Sequence, residues 1–464
     1  MNTISQLAES KAHRLSCILL LLCAAGLLSH SGRLHAQTPR QFMQKAKLGL
    51  FVHYVYGLTQ AAPGKPPLKN LNDFANCLNV QGIADVAQAM GAQYVIFTAY
   101  HWRMNMLLRC PAWKKIFPSH VSNRDVVGGL AKALRAKGIK LVLYMHPDDR
   151  HDFPRAMINK LIKIGFTSRR ELPNIYSGTY PRFEPHDPKW NRLYEQIVRS
   201  IAQRYGGEIA GYWIDDGDAA ANGVRISRII EQYTPGAAVW LNGFATHPPA
   251  TLIGSEVWNL LDSSPKPHLY NTSTSQAAIV IADVWWACKG TLAAGNVRVH
   301  STGRLMYPPS SLYRFLLCQI ATSGQHNGGV VYATSPYSNN HWEAGVRKGL
   351  TKLGAMVRKN AIAIYNTIPS RAYVSGESAA AKPLWGVAVD SPHGSYVYLH
   401  VLMPPQSRTL HIAKPADAVT FRKAQLLNGG VVRLVPDAAG YALTLPHAMH
   451  WSKLDTVIRL TVRK

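Results

Sequence analysis

Short apolar segments alternate with amphipathic segments of helical period through most of the chain, and this order limits the fold more than any other feature. Seven apolar segments are predicted strands: 48–53, 93–98, 140–145, 211–215, 239–242, 279–284 and 328–333. Parallel strands need a crossover connection, usually a helix, so the alternation predicts an α/β fold with a helix-covered parallel sheet. Seven such units in roughly 300 residues favour a (β/α)8 barrel, with an open sheet as the alternative.

The intervening segments carry recognisable helix signals. Asp125 is a predicted N-cap, and Gly138 is a predicted stop for the helix that follows it. Asp187-Pro188 is predicted to open another helix, and residues 341–360 form the last helix of the barrel. The apolar faces expected for these helices and for one near residue 86 are Val127, Leu130, Ala131, Leu134; Trp190, Leu193, Tyr194, Ile197, Ile201; Val346, Leu350, Leu353, Val357; and Ile83, Val86, Ala87, Met90.

The pattern changes near Arg371 to short runs of period two. These runs are 385–389, 396–401 and 457–462, with an Asn428-Gly429 turn between two apolar residues. Such runs predict a small antiparallel β-sandwich. Since one core rarely extends past roughly 250 to 300 residues, we expect two domains: a (β/α)8-like barrel over residues 37–370 and a sandwich over residues 371–464.

The first 36 residues have the composition of a secretory signal peptide. Lys11 and Arg14 precede an apolar run over residues 15–28, and polar residues then lead to Ala36. The alternative, a membrane anchor, is disfavoured because the run is too short to cross about 30 Å of hydrocarbon as a helix. We expect cleavage near Ala36, a secreted or periplasmic protein, and no stable membrane insertion of the mature chain.

The chain is strongly basic, with 51 Lys and Arg against 25 Asp and Glu and a formal net charge of +26. Such a balance can indicate nucleic acid, an anionic membrane or an acidic polysaccharide as partner. The basic residues are scattered and form no run of five. A generally cationic exported protein is therefore the favoured interpretation, nucleic acid is not an expected partner, and an anionic polysaccharide stays open.

Cysteine spacing argues against a zinc or redox site. After removal of the leader four cysteines remain, with no CxxC pair; they are Cys77, Cys110, Cys288 and Cys318. Their pairing stays open, because scattered cysteines in a large exported domain can be bridged or free and buried. We expect no metal and no other cofactor, and the sequence leaves the oligomeric state open.

Asp215 is the foremost candidate for a catalytic carboxylate. It follows the apolar run 209–214 directly, where a strand ends and its loop begins. Barrel enzymes place catalytic groups at this C-terminal rim. A loop-capping role is the alternative that position alone leaves open.

The sequence around Asp215 resembles a known family. The string Gly211-Tyr212-Trp213-Ile214-Asp215 is similar to the nucleophile segment of the α-L-fucosidases, glycoside hydrolase family 29. Further similar segments follow in the family's order: residues 47–54, ending a first strand in His53; residues 92–101, ending a second in His101; residues 138–146; and residues 327–333, 360–367 and 455–458. The resemblance implies a barrel followed by a sandwich, and retaining hydrolysis of terminal α-L-fucosides or a closely related sugar.

A retaining glycosidase needs two carboxyl groups about 5 to 5.5 Å apart, one ionised and one protonated. The resemblance makes Asp215 the nucleophile and Glu256 the acid/base. The alternative for Glu256 is a surface-loop carboxylate, and the rival acids are Asp216, Asp218, Asp262 and Asp283. Other members carry the acid in a Trp-Glu pair where this chain has Trp285-Trp286, so Asp283 is the fallback.

The resemblance also implies residues that contact the sugar. His53 and His101 would hydrogen-bond its hydroxyl groups, and Trp213 would stack on its apolar face. Tyr144 is a weaker candidate of the same kind. For Trp213 the alternative is a core tryptophan packed inside the barrel.

Several positions depart from the family pattern. Tyr100 and Trp102 replace a His and an Asp around His101, and Phe244 stands at an expected Arg. A usual Glu-Trp pair has no counterpart between Gly57 and Asn79. Since each lost group would contact sugar, the substrate can differ from ordinary terminal fucose, and a non-catalytic or weakly active glycan-binding relative is the alternative function.

Overall fold

The computed structural model describes residues 39–62, 64–147, 153–166, 188–215, 222–241, 253–257, 278–283, 305, 307–322, 328–375 and 385–463. The predicted leader, residues 1–36, lies outside these ranges. Within the described residues, no helix has the length and apolarity needed to cross a lipid bilayer.

Eight parallel strands form the first sheet. They are β1 (Leu48–Val52), β2 (Tyr94–Tyr100), β3 (Lys140–Met145), β4 (Gly211–Ile214), β5 (Ala238–Leu241), β6 (Ile253–Val257), β7 (Ala278–Asp283) and β8 (Gly329–Ala333). Their order is β5-β4-β3-β2-β1-β8-β7-β6. The first strand pairs with both β2 and β8, and β5 contacts β6. This is the circular order of a (β/α)8 barrel, so the predicted fold class is confirmed.

Helices connect the strands. They are α1 (Pro39–Lys45), α2 (Leu71–Cys77), α3 (Val80–Met90), α4 (Pro111–Ile116), α5 (Val126–Arg135), α6 (Arg155–Lys163), α7 (Pro188–Tyr205), α8 (Gly223–Tyr233), α9 (Pro309–Thr322) and α10 (Ala344–Lys359), with 3-10 turns at Pro118–His120, Gly206–Glu208 and Ala361–Ala363. The predicted cap is confirmed, because the Asp125 carboxylate accepts a 2.9 Å hydrogen bond from the Gly128 amide. Each apolar face expected from the sequence is buried.

Alternate residues of each barrel strand face opposite ways, which creates two cores. One face packs against the helices. The other fills the barrel interior, where Tyr94, Trp213 and Trp240 meet Met43 of α1. Because α1 directly precedes β1, it closes the N-terminal end of the barrel, the end opposite the rim that carries Asp215.

The C-terminal region is antiparallel, as predicted. Its strands are β9 (Ile368–Pro369), β10 (Gly386–Asp390), β11 (Tyr396–Val401), β12 (Thr409–Ala413), β13 (Phe421–Leu426), β14 (Val431–Pro436), β15 (Gly440–Thr444) and β16 (Thr456–Val462), in the order β12-β15-β14-β13-β16-β11-β10-β9. The β13–β14 turn uses Gly429 and Gly430 at φ of 101° and 97°, a conformation that favours glycine. One apolar core joins the two halves of this folded sheet into a sandwich.

A buried polar cluster lies where the sandwich meets α9 and α10. His400 of β11 pairs with Asp455 at 2.9 Å, Nδ1 to Oδ2, and its Nε2 is 3.0 Å from the Ala363 carbonyl oxygen. Tyr313 of α9 donates to the same carboxylate at 2.7 Å, and Asn360 donates to it at 3.2 Å. Three chain segments therefore converge on one buried carboxylate.

Candidate active site

Residues that follow four neighbouring strands meet at the C-terminal rim of the barrel. His53 follows β1, His101 follows β2, His146 follows β3 and Asp215 follows β4. The His53 and His101 ring centroids are 5.3 Å apart, and those of His101 and His146 are 4.4 Å apart with nearly parallel rings. Parallel strands bring their carboxyl ends to one edge, so this convergence is a direct consequence of the topology.

The position of His101 depends on an irregularity in β2. Thr98 is in register with Tyr144 and Tyr100 with Met145, so Ala99 is an extra residue on the β2 side. Such a bulge reverses the side-chain alternation beyond it. Tyr100 consequently faces the helices, where its hydroxyl donates to that of Tyr194 at 2.7 Å, while His101 faces the barrel interior.

Asp215 is held by hydrogen bonds from β3. Its amide donates to the Met145 carbonyl at 2.9 Å, and the Tyr144 hydroxyl donates to Oδ2 of the carboxylate. The Nε2 atom of His146 lies 3.9 Å from that same oxygen. The Asp215 side chain is 15 % exposed. The contacts from β3 orient its carboxylate, which remains accessible from the barrel mouth.

The histidines form an environment that disfavours further positive charge. Burial lowers the pKa of His53 well below its usual value of 6.5, and the neighbouring His101 and His146 lower it further. His53 is therefore neutral at pH 7, with Nδ1 2.8 Å from the Thr98 hydroxyl. The Nδ1 of His101 accepts from the Trp102 amide at 2.7 Å. In neutral His101 the proton is consequently on Nε2, a donor suited to a sugar hydroxyl.

Sequence reasoning missed His146 and the strand that carries Glu256. His146 satisfies the same strand-end rule that selected His53 and His101, so that rule could have found it. Glu256 is the fourth residue of β6, in register with Ile281 of β7, and is not in a surface loop. Asp283 is the last residue of β7, opposite Ala333. The other rival acids, Asp216, Asp218 and Asp262, lie outside the described residues.

Trp213 does not join the rim cluster. Its side chain is 0 % exposed and lies two residues below Asp215 on the same strand. It stacks on Trp240 with centroids 5.9 Å apart inside the barrel core. The prediction that Trp213 stacks on sugar is therefore corrected: its ring is buried and has no surface for a ligand. Trp213 is a core tryptophan packed inside the barrel, which was the alternative.

A cavity of about 670 Å³ lies at the C-terminal rim, and its wall residue Trp102 directly follows His101. The loops that follow His53 and His101 form two of its walls, through Tyr56 and Trp102, and Ser338, beyond β8, belongs to a third. Non-glycine residues 102–104 have positive φ, of 20°, 59° and 48°. Backbone strain of this kind persists only where the surroundings enforce it, and it concentrates at functional sites.

Among the described residues, no group of three His, Cys, Asp or Glu side chains could hold a metal ion. The described cysteines, Cys77, Cys110 and Cys318, are free thiols. Burial raises the pKa of Cys318 to about 11, so this thiol stays protonated at neutral pH. Cys288 lies outside the described residues.

The chain resembles known proteins in sequence and in fold. Residues 74–300 match the family described as alpha-L-fucosidase. The resemblance to the alpha-L-fucosidases is confirmed. This matched segment includes Asp215, Glu256 and the bulged β2 strand.

Solved structures of alpha-L-fucosidases share the fold at low sequence identity. Isoenzyme 1 from Paenibacillus thiaminolyticus superposes with a TM-score of 0.65 at 16% identity, covering 92% of this chain and 99% of that one. The glycoside hydrolase family 29 enzyme from Bacteroides thetaiotaomicron gives 0.63 at 15% identity, covering 91% and 94%. The Thermotoga maritima enzyme, in complex with a mechanism-based inhibitor, gives 0.61 at 15%, covering 92% and 97%. Among curated proteins, a sequence search finds no match.

The bulge in β2 determines where Tyr100, one of the departures from the alpha-L-fucosidase pattern, lies in the fold. We expected every replaced group to be a lost sugar contact. Tyr100, however, is 1 % exposed and faces the helix layer. The replacement at this position therefore removes no group from the described rim. Phe244 and the Trp285-Trp286 pair lie outside the described residues.

Proposed function

We propose that the chain is a retaining glycosidase that hydrolyses terminal α-L-fucosides, or glycosides of a closely related sugar, with Asp215 as nucleophile and Glu256 as acid/base. The observation that carries the proposal is the Asp215 carboxylate at the end of β4, held by Tyr144 and flanked by the rim histidines. The family match over residues 74–300 supports glycoside hydrolysis in general.

The hydrogen bond from Tyr144 orients the Asp215 carboxylate for attack on the anomeric carbon. In the first step a carboxylate oxygen bonds to the anomeric carbon while the glycosidic oxygen leaves with a proton from Glu256. In the second step Glu256 takes a proton from water, the water oxygen bonds to the anomeric carbon, and Asp215 is released. A structural neighbour from Bacteroides thetaiotaomicron was solved as a trapped covalent intermediate with 2-fluoro-fucosyl fluoride, which is the chemistry proposed for this chain.

Neutral His53 suits contacts to sugar hydroxyl groups, because a neutral ring offers one donor and one acceptor. It adds no positive charge that competes with the oxocarbenium-like transition state. The His101 Nδ1 is already taken by the Trp102 amide, so its Nε2 is the ring atom left to contact sugar. The leader in the sequence makes export to the periplasm or beyond part of the same proposal.

The test uses Asp215→Gly and an aryl α-L-fucoside with a good leaving group. We expect hydrolysis to fall by at least about 10³-fold, and azide to restore turnover by forming a glycosyl azide of inverted configuration. Undiminished hydrolysis by Asp215→Gly would exclude Asp215 as nucleophile. A wild-type chain that binds fucose and turns over no aryl glycoside would instead be a glycan-binding relative.

A further inference from the structure

The cavity walled by Tyr56, Trp102 and Ser338 lies across the barrel rim from the proposed catalytic carboxyl groups. In the ring of eight strands, β4 and β6 flank β5, and the strand opposite β5 is β1. The cavity walls follow β1, β2 and β8. This inference rests on the proposed function, because the positions of Asp215 and Glu256 define where the anomeric carbon sits.

A sugar bound between these groups has a fixed direction. The two carboxyl groups flank C1, so C1 lies on the β4–β6 side. In a six-membered ring C4 is opposite C1, with C3 beside it. The hydroxyl groups on C3 and C4 therefore point towards β1 and its neighbours, where the cavity begins.

We propose that this cavity binds an anionic substituent on the C3 or C4 hydroxyl of the sugar that is cleaved. The substituent is a sulfate ester, which places a negative charge close to the ring and leaves the fucose terminal. A volume of about 670 Å³ accommodates it.

The lining has the composition that such a group requires. None of the described residues around the cavity is acidic, whereas Arg103 is cationic and exposed. Its guanidinium lies 5.4 Å from the centre of the Trp102 ring, a stacked arrangement that leaves its N–H donors at the edge. Tyr56 and Trp102 supply aromatic surface against which a sugar ring can pack.

The third wall of the cavity is held in place by backbone hydrogen bonds. The Ser338 amide donates to the Gln60 carbonyl at 2.8 Å, and its own carbonyl accepts from the Tyr54 hydroxyl at 2.7 Å. Ser338 is 3 % exposed, so this wall is part of the packed structure.

The position of the Trp102 ring in the cavity wall is fixed by its packing. Gly57 has φ of 91°, and a Cβ there would lie 2.9 Å from Cδ1 of Trp102. The ring therefore packs against bare backbone, a close approach that only glycine allows. The Asn105 side chain donates to the Trp102 carbonyl at 2.9 Å and fixes the strained segment.

The experiment compares three substrates on the full chain: 4-nitrophenyl α-L-fucoside, its 3-O-sulfate and its 4-O-sulfate. We expect kcat/KM for one of the anionic forms to exceed that of the plain fucoside. We expect Arg103→Gln to reduce the ratio of anionic to plain kcat/KM roughly 10-fold, the loss typical of one hydrogen bond to a charged group.

The matched control is Arg433→Gln, an exposed arginine of the sandwich strand β14, which should leave all rates and the ratio unchanged. High salt should weaken the preference of the wild type. The proposal is overturned if every substituted fucoside reacts more slowly than the plain one, or if Arg103→Gln leaves the ratio intact. If no fucoside is hydrolysed, the proposed function fails; calorimetric binding of the sulfated glycoside to wild type and Arg103→Gln then decides the cavity proposal separately.

Discussion

The same three residue types, Tyr, Asp and His, form two clusters with different consequences. At the barrel rim, Tyr144 donates to Asp215 and His146 lies 3.9 Å away, with the carboxylate 15 % exposed. Between barrel and sandwich, Tyr313 donates to Asp455 and His400 lies 2.9 Å away, with the carboxylate 1 % exposed. The chemistry of the groups is alike, and the packing around them differs.

The comparison shows what keeps a carboxylate accessible to substrate. Oδ2 of Asp455 receives hydrogen bonds from Tyr313 and Asn360 and a short contact from His400. These bonds join α9, β11, the residue after α10 and the residue before β16. No substrate can reach that oxygen. Asp215 is tethered mainly from β3 and keeps access to the barrel mouth. We expect the rim cluster to govern rate and the interface cluster to govern stability.

Asp215→Asn should have the largest effect on rate. The amide keeps the shape of the side chain and loses the charge that attacks, so kcat should fall by about 10³-fold or more. The free energy of unfolding should change by less than about 1 kcal/mol, because Asn can still accept from Tyr144. Steady-state kinetics and urea unfolding of the same preparation measure both quantities. A large loss of stability with normal kcat would assign the rim cluster a structural role.

Asp455→Asn should show the reverse. Removing one partner of a buried pair leaves the other without compensation, which costs about 3 to 5 kcal/mol. The mid-point of urea unfolding should therefore fall strongly, while kcat of the folded enzyme stays within about twofold of wild type. Loss of kcat at temperatures where the variant is fully folded would show that the two clusters are coupled.

How far the sequence predicted each cluster follows from how local its signals are. His53 and Asp215 directly follow apolar runs, so their convergence at the rim could be derived from strand periodicity and parallel topology. The single extra residue Ala99, which turns Tyr100 outwards and His101 inwards, leaves no mark in the apolar pattern. The short strand carrying Glu256 has a Gly-Ser-Glu centre, a sequence of weak β-propensity that predicts a loop. It forms a strand because it pairs with β7, and this long-range pairing overrides the local preference.

The interface cluster was beyond sequence reasoning. His400 and Asp455 are 55 positions apart, and each stands in or beside a strand whose pattern predicts only which face is buried. Their pairing depends on how the sandwich packs against α9 and α10. No local pattern encodes that packing, and the same holds for the burial of Trp213 against Trp240.

Replacing each tyrosine by phenylalanine compares the clusters at one atom. Tyr144→Phe should lower kcat roughly 10- to 100-fold, since a hydrogen bond to a charged group is worth about 1.5 to 3 kcal/mol. Tyr313→Phe should lower the free energy of unfolding by a similar amount and leave kcat near wild type. Equal effects of the two variants on kcat would refute the division of roles.

The smallest effect expected is a difference in pH dependence. Burial by itself would lower the pKa of His400, but the charge and hydrogen bond of Asp455, with the Ala363 carbonyl, raise it above its usual value of 6.5. A raised pKa in the folded state means that folding binds a proton, so the stabilisation is complete below pH 6.5 and is lost as pH rises through the raised pKa.

For His53 the sign is opposite. Its pKa in the folded state lies well below 6.5, so the unfolded chain binds the extra proton, and stability falls as pH drops below 6.5 towards that lower value. Thermal unfolding should be measured from pH 5 to 9. The loss of unfolding temperature in His400→Gln relative to wild type should be greatest at acid pH and should shrink towards alkaline pH. His53→Gln should instead gain on the wild type as pH falls, because the glutamine has no proton to bind. If the deficit of His400→Gln grew with rising pH, the charged pair with Asp455 would not exist, and the interface cluster would differ from the rim only in burial.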